Sequence, residues 1–307
     1  MPSSAAGRAL PVALVLVAGL LLTGCATSPR YQRSADGVIE VAASTSVWGS
    51  ILGQLGGSHV RASSIVSRPG ADPHAYEPTP ADARTIARSR LFVVNGVGYD
   101  PWASRAVTAS PDRDRLVIDV GRLVGTPADG NPHRWYSPAD VATVVAAISA
   151  GLARVDPADA GYFASRRQHF ETVELAGYHR LIADIRARYA GSPIGASESI
   201  VAPLAQALGL DLLTPAGLLR AVSEGSEPSP ADKATSEAQL RRRAVRVYVY
   251  NSQNATPDVA AQLAAARQAG VPVVAVTETV NPPRASFQQW QVSQLEALRA
   301  ALAGSVR

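Results

Sequence analysis

Apolar and polar positions follow two alternating periods along the chain. Short β-branched runs at Ile39–Ala43, Leu91–Asn95 and Leu116–Val120 have the length and composition of buried strands. Val47–Leu55 and Pro80–Ser89, between them, carry apolar residues at helical spacing. The second half repeats the scheme, with strands at Ile194–Ser197, Val245–Asn251 and Val271–Val276 and helices at Ala202–Leu208, Asp258–Ala269 and Phe287–Ala303. Strand alternating with helix predicts an α/β fold of two βα lobes with parallel sheets, residues 38–137 and 191–307. Residues 138–190 between them read as helical. Pro138–Val155 opens with Ser137 as N-cap, proline at the first position and Asp140 in the first turn. From Asp156-Pro157 a second helical stretch runs to about Tyr189, interrupted only by Gly161 and Gly177. About 30 residues at 1.5 Å each span about 45 Å, the length of a spine joining two lobes. The alternative is two ordinary helices broken near Gly177.

The N-terminus has a different pattern. Arg8 precedes an apolar run from Ala9 to Leu22, and small residues follow. This is the pattern of a secretory signal peptide over residues 1–24, too short for a comfortable membrane span. Leu22-Thr23-Gly24-Cys25 resembles the bacterial lipobox, which makes Cys25 the lipidated mature N-terminus and residues 25–37 a polar tether. An exported body, lipid-anchored to the outer face of the cytoplasmic membrane, is the expectation. Cys25 is also the one cysteine, so neither an internal disulfide nor a cysteine-based zinc site is available.

Composition narrows the function. Of 307 residues, 47% are apolar and 18% charged, enough for packed cores and contrary to a disordered chain. The net charge is only +4, and the longest basic run, Arg241–Arg243, has no aromatics interleaved, which argues against nucleic acid as a partner. Lys233 is the only lysine.

Five histidines are the main candidate chemistry. His169 and His179 lie among charged residues of the helical stretch and read as solvated; His59, beside a glycine turn, reads as a surface residue. His74 and His133 each follow a proline, in Asp72-Pro73-His74 and Asn131-Pro132-His133, just beyond strand-type segments. Proline stiffens the backbone ahead of each imidazole, and loops at the carboxyl ends of parallel strands are where ligands bind.

The stretch Arg68–Trp102, RPGADPHAYEPTPADARTIARSRLFVVNGVGYDPW, strongly resembles the zinc- and manganese-binding solute-binding lipoproteins of ABC importers, cluster A-I. Its marks are D-P-H-x-Y-E-P-T-P-x-D at Asp72–Asp82 and N-G-x-G-x-D-x-W at Asn95–Trp102, joined by NPHRWYSPADV (Asn131–Val141) and GSEPSPAD (Gly225–Asp232). The resemblance implies a metal site in an interlobe cleft, with His74 and His133 as ligands and Glu198, in Gly195-Ala196-Ser197-Glu198-Ser199, as the third. The position of the family's fourth ligand, an aspartate before a helix start, is Ala285 here, so water or Glu278 is expected to complete the site. Asp72 and Glu77 would orient the His74 loop. Gly121–Gly130 has no histidine, hence no metal-collecting loop.

Two imidazoles and one carboxylate fill three tetrahedral positions on Zn²⁺, with Glu278 or water as the fourth. Mn²⁺ takes more oxygen ligands and is the alternative cargo. The expected function is capture of the cation and its delivery to an ABC permease by a monomeric, non-enzymatic protein. Rival readings are an exported metal-dependent hydrolase on the same His/His/Glu site and a surface adhesin. A serine hydrolase fits poorly: Gly195–Ser199 ends in serine where a nucleophile elbow needs glycine, and no histidine follows His179.

Overall fold

Runs that are apolar at every position, not at alternate ones, specify strands buried on both faces, which in turn need helices on both sides of the sheet. The computed structural model, which describes Met1 and residues 37–68 and 76–304, has that arrangement twice. β1 (Ile39–Thr45), β2 (Val60–Val66), β3 (Leu91–Val94) and β4 (Leu116–Asp119) form one parallel sheet in the order β2-β1-β3-β4. β5 (Pro193–Ala196), β6 (Asp211–Leu212), β7 (Val247–Asn251) and β8 (Val273–Val276) form the other, β6-β5-β7-β8. The two lobes therefore share one wiring, with the second strand of each placed outside the first. Register pairs Val41 with Leu91 and Leu91 with Leu116 in one sheet, and Ile194 with Val247 in the other.

Two strands escape the sequence pattern. β2 is an edge strand whose middle, Arg61-Ala62-Ser63-Ser64, carries no apolar run, and β6 has two residues, too few for any periodicity. Helices at Pro101–Ala109, Ala216–Ser223 and Pro230–Arg241 are likewise additions to the elements predicted.

The Pro138–Val155 helix has the predicted bounds, and the Ser137 hydroxyl accepts from Asp140 N at 3.3 Å. The spine departs from a uniform helix. Ala160–His169 and Ala176–Tyr189 are α-helical, and Phe170–Glu174 between them is a π turn closed by Leu175 N donating to Phe170 O at 2.9 Å. The irregularity thus precedes Gly177, which is itself helical. The extra residue has a packing cause. Phe170 and Leu175 are both buried although five apart, and a wider turn brings Leu175 beneath Phe170 so that Tyr178, Leu181 and Ile185 continue the apolar face.

A polar stripe joins the lobes. Ser46, Ser50 and Gln54 recur every four residues on one face of the Ser46–Gly56 helix of the first lobe. The Ser46 and Ser50 hydroxyls accept from Val280 N (3.1 Å) and Phe287 N (2.9 Å) of the second lobe. The Gln54 and Gln288 amides pair reciprocally at 3.1 and 2.8 Å, and Gln288 Nε2 also donates to Glu174 of the π turn at 2.8 Å. First lobe, spine and second lobe meet at that junction.

Candidate metal centre

The described candidate ligands, His133, Glu198 and Glu278, lie past the carboxyl ends of β4, β5 and β8. Cys25, Asp72 and His74 fall outside the described residues, so the site is built here from His133, Glu198 and Glu278.

His133 follows β4 and is 1% exposed. Asn131 Oδ1 accepts from His133 N at 2.9 Å and lies 3.0 Å from Nδ1. An atom accepting from a backbone N–H is the amide oxygen, so Nδ1 carries the proton and Nε2 the lone pair. Asn131 Nδ2 donates to Ser199 O at 2.6 Å, fastening the histidine loop to the second lobe. Asn95 Nδ2 donates to Pro132 O at 2.9 Å and is itself held by Trp48 Nε1 at 2.9 Å, and the Trp135 ring stands edge-on to the imidazole at 5.3 Å. The imidazole is set by tertiary contacts on several sides.

Glu198 follows β5 in fully extended backbone and is 1% exposed. Its Oε2 accepts from Ser223 Oγ and Asn254 Nδ2, both at a long 3.3 Å, and its Oε1 is buried with no hydrogen-bond donor among the described residues. Glu278 follows β8 and is 8% exposed. Its Oε1 accepts from Asn251 Nδ2 at 2.6 Å and its Oε2 from Tyr99 Oη at 2.8 Å. Burial, and then the charge of Glu278, push the Glu198 carboxyl up to about 7, against the opposing pull of the nearby Asn251, Asn254 and Ser223 side chains. Two buried carboxylates from different strands of one lobe are thus forced into each other's field, an arrangement a divalent cation would relieve.

The backbone around them is fixed by amides. Asn251 Oδ1 accepts from Gln253 N at 2.9 Å, while Gln253 Oε1 accepts from Glu278 N (2.6 Å) and Thr279 N (3.1 Å). These residues carry no motif. Their only sequence signal is a polar Asn-Ser-Gln-Asn run at the end of a buried strand.

The other candidates sort clearly. Asp100 accepts from Asn95 N (2.7 Å) and Gly96 N (2.8 Å) and holds the turn after β3, and its burial raises the carboxyl above the ordinary range. Val97 in that turn sits at φ 55°, a left-handed conformation costly for a β-branched residue. Tyr76 donates to Asp82 Oδ2 at 2.8 Å, and Asp82 forms a capping box with Thr79, so the later half of the first motif builds a helix start. Glu77 is exposed. Ala285 lies two residues before the last helix, Phe287–Gly304, whose Phe287 N donates to Ser50 Oγ at 2.9 Å. His59, expected on the surface, is half-buried because it stacks on Tyr162 at 3.9 Å and pairs with Asp159 at 2.8 Å, whereas His169 and His179 are exposed as expected. Ser197, the nucleophile-elbow position, is fully buried and accepts from Asn251 N at 3.2 Å. A cavity of about 460 Å³ between the lobes reaches Asn131 on one wall and Ser199 and Ser223 on the other, beside Glu198.

Two lobes of identical wiring, each carrying a buried imidazole or buried carboxylates past the ends of its strands, have the architecture of a two-lobed solute-binding protein. The chain belongs to the family described as zinc-uptake complex component A, periplasmic, whose family model it matches over residues 41–301. It is 26% identical over 160 residues to the manganese-binding lipoprotein MntA of Halalkalibacterium halodurans, covering 51% of this chain and 53% of that one. The chain thus spans about half the length of the curated relatives it matches. In fold it is similar to the solute-binding protein FpvC of Pseudomonas aeruginosa in complex with Mn²⁺, at TM-score 0.71, 21% identity and 87% and 99% coverage of the two chains. An Mn-bound mutant of the periplasmic metal-binding protein of Candidatus Liberibacter asiaticus superposes at TM-score 0.72 with 20% identity, covering 85% of this chain and 98% of that one.

Proposed function

We propose that this chain is the extracytoplasmic component of an ABC importer that captures a divalent first-row cation between its lobes and delivers it to the permease. The observation that carries the reading is the Glu198–Glu278 pair, two carboxylates at least nine-tenths buried and held by amides and hydroxyls. His133 presents Nε2 from the facing lobe, and His74 is the fourth ligand on the strength of its Asp-Pro-His motif. Carboxylates can chelate, so the site has room for coordination above four and accepts manganese. With two imidazoles present, zinc is bound more tightly when both compete, as the general ligand-affinity order of these cations dictates. Anchoring through Cys25 and a monomeric state complete the proposal.

The test is elemental analysis of metal-free chain offered equimolar Zn²⁺ and Mn²⁺, then each alone. One equivalent of zinc retained in competition, one equivalent of manganese bound alone, and loss of both in His133→Ala are expected. Undiminished binding in that variant would overturn the site.

A further inference from the structure

We infer that Tyr99 is the positioning residue that fixes how Glu278 meets a bound cation, and thereby sets the preference of the cleft between zinc and manganese. The inference rests on the metal-site reading above.

Tyr99 belongs to the turn after β3 in the first lobe, and Glu278 follows β8 in the second. The phenol is fully buried and its hydroxyl donates across the cleft to Glu278 Oε2 at 2.8 Å. A buried tyrosine hydroxyl needs an acceptor, and a carboxylate gives the stronger, charge-assisted bond. The same ring stands edge-on to His133 at 6.0 Å and to Trp135 at 5.1 Å. One rigid side chain therefore touches both an imidazole and a carboxylate of the proposed site. Its own seat is firm: Tyr99 N donates to Gly96 O at 3.0 Å, and Asp100 clamps the backbone of that turn.

The second carboxylate oxygen of Glu278 is taken by Asn251 at 2.6 Å. One donor from each lobe thus grips the group at both ends and arrests the terminal torsion, which in a free glutamate is broad. Each oxygen keeps only part of its accepting capacity. A gripped carboxylate offers a cation one oxygen at a fixed position, which suits four-coordinate zinc. Released from the phenol, it can turn and chelate through both oxygens, the higher coordination manganese takes.

Tyr99→Phe in the full-length chain removes the hydroxyl and keeps the ring packing. It is expected to lower zinc affinity about 10- to 100-fold, the usual effect of losing a group that orients a ligand, with a smaller loss for manganese. Bound Co²⁺ reports the geometry independently: its strong four-coordinate absorption bands are expected to weaken in the variant. In a Glu278→Gln background, Tyr99→Phe should add nothing, because the carboxylate it holds is gone. An unchanged zinc-to-manganese ratio and cobalt spectrum in Tyr99→Phe, or fully additive losses in the double variant, would overturn the role of Tyr99 while leaving the metal site intact. Wild-type chain that binds neither cation would overturn both readings.

Discussion

Glu198 carries a measurable electrostatic cost. Its carboxyl, ordinarily at 4.5, stands at about 7 in the fold, so between those values the folded chain holds a proton that the unfolded chain releases. Folded stability then falls as pH rises through that window, by up to ~3 kcal/mol from this group. The difference in unfolding free energy between metal-free wild type and Glu198→Gln should therefore move against the wild type from pH 4.5 to 7.5, measured by denaturant titration. A flat difference would mean that neither burial nor the charge of Glu278 lifts the Glu198 carboxyl. Metal binding must also expel that proton, so affinity should drop as the solution is acidified. A second prediction concerns Asn131, which fixes the tautomer of His133 and ties its loop to Ser199. Asn131→Ala should weaken metal binding about 10- to 100-fold with little change in secondary structure, read by calorimetric titration. The histidine was legible in the sequence because proline and a strand end announce it. The oxygen that holds it in one tautomer was not, since Asn131 acts through a distance set only by the folded loop. Asn251 and Tyr99 were missed for the same reason: their partners are 27 and 179 positions away.

Elements were read best where one local signal sufficed. Pro138–Val155 has a serine cap, a proline and an unbroken apolar face, and no tertiary contact had to override them. The spine was read as regular because its π turn is specified by the distance from Phe170 to Leu175, which looks like a lapse in period until both residues are buried. The strained turn after β3 is testable at this scale. Val97 pays for a left-handed backbone next to the cleft, and Val97→Gly should raise stability by about 1 kcal/mol, the relief of strain exceeding the entropy glycine adds to the unfolded chain. A loss of stability in thermal melts would show that the side chain's packing outweighs its backbone. The Gln54–Gln288 pair offers another test: a double-mutant cycle with alanine at both positions should give a coupling of about 1 kcal/mol, and independent effects would remove it from the junction.

At the level of the whole molecule, the stripe on the first helix and the junction at Glu174 tie the lobes together, and one of these ties, Ser46 with Val280 N, lies two residues past Glu278. Wide opening would break these bonds together. Small-angle scattering should therefore give nearly superposable profiles with and without metal, and a large compaction on binding would count against a stiff frame. The two βα lobes and their loose repetition were legible from alternation alone, but their strand-for-strand equivalence was not, because β2 and β6 leave too weak a trace in the chain. That equivalence bears on ancestry and engineering. β4 and β8 are the last strands of two identically ordered sheets, and the loops that leave them deliver His133 and Glu278. The same rung of a repeated ladder thus supplies nitrogen from one copy and oxygen from the other. A scaffold of this kind can exchange the donor at one rung while its twin stays put, so donor chemistry can be altered by a transplant of one loop and no redesign of either lobe.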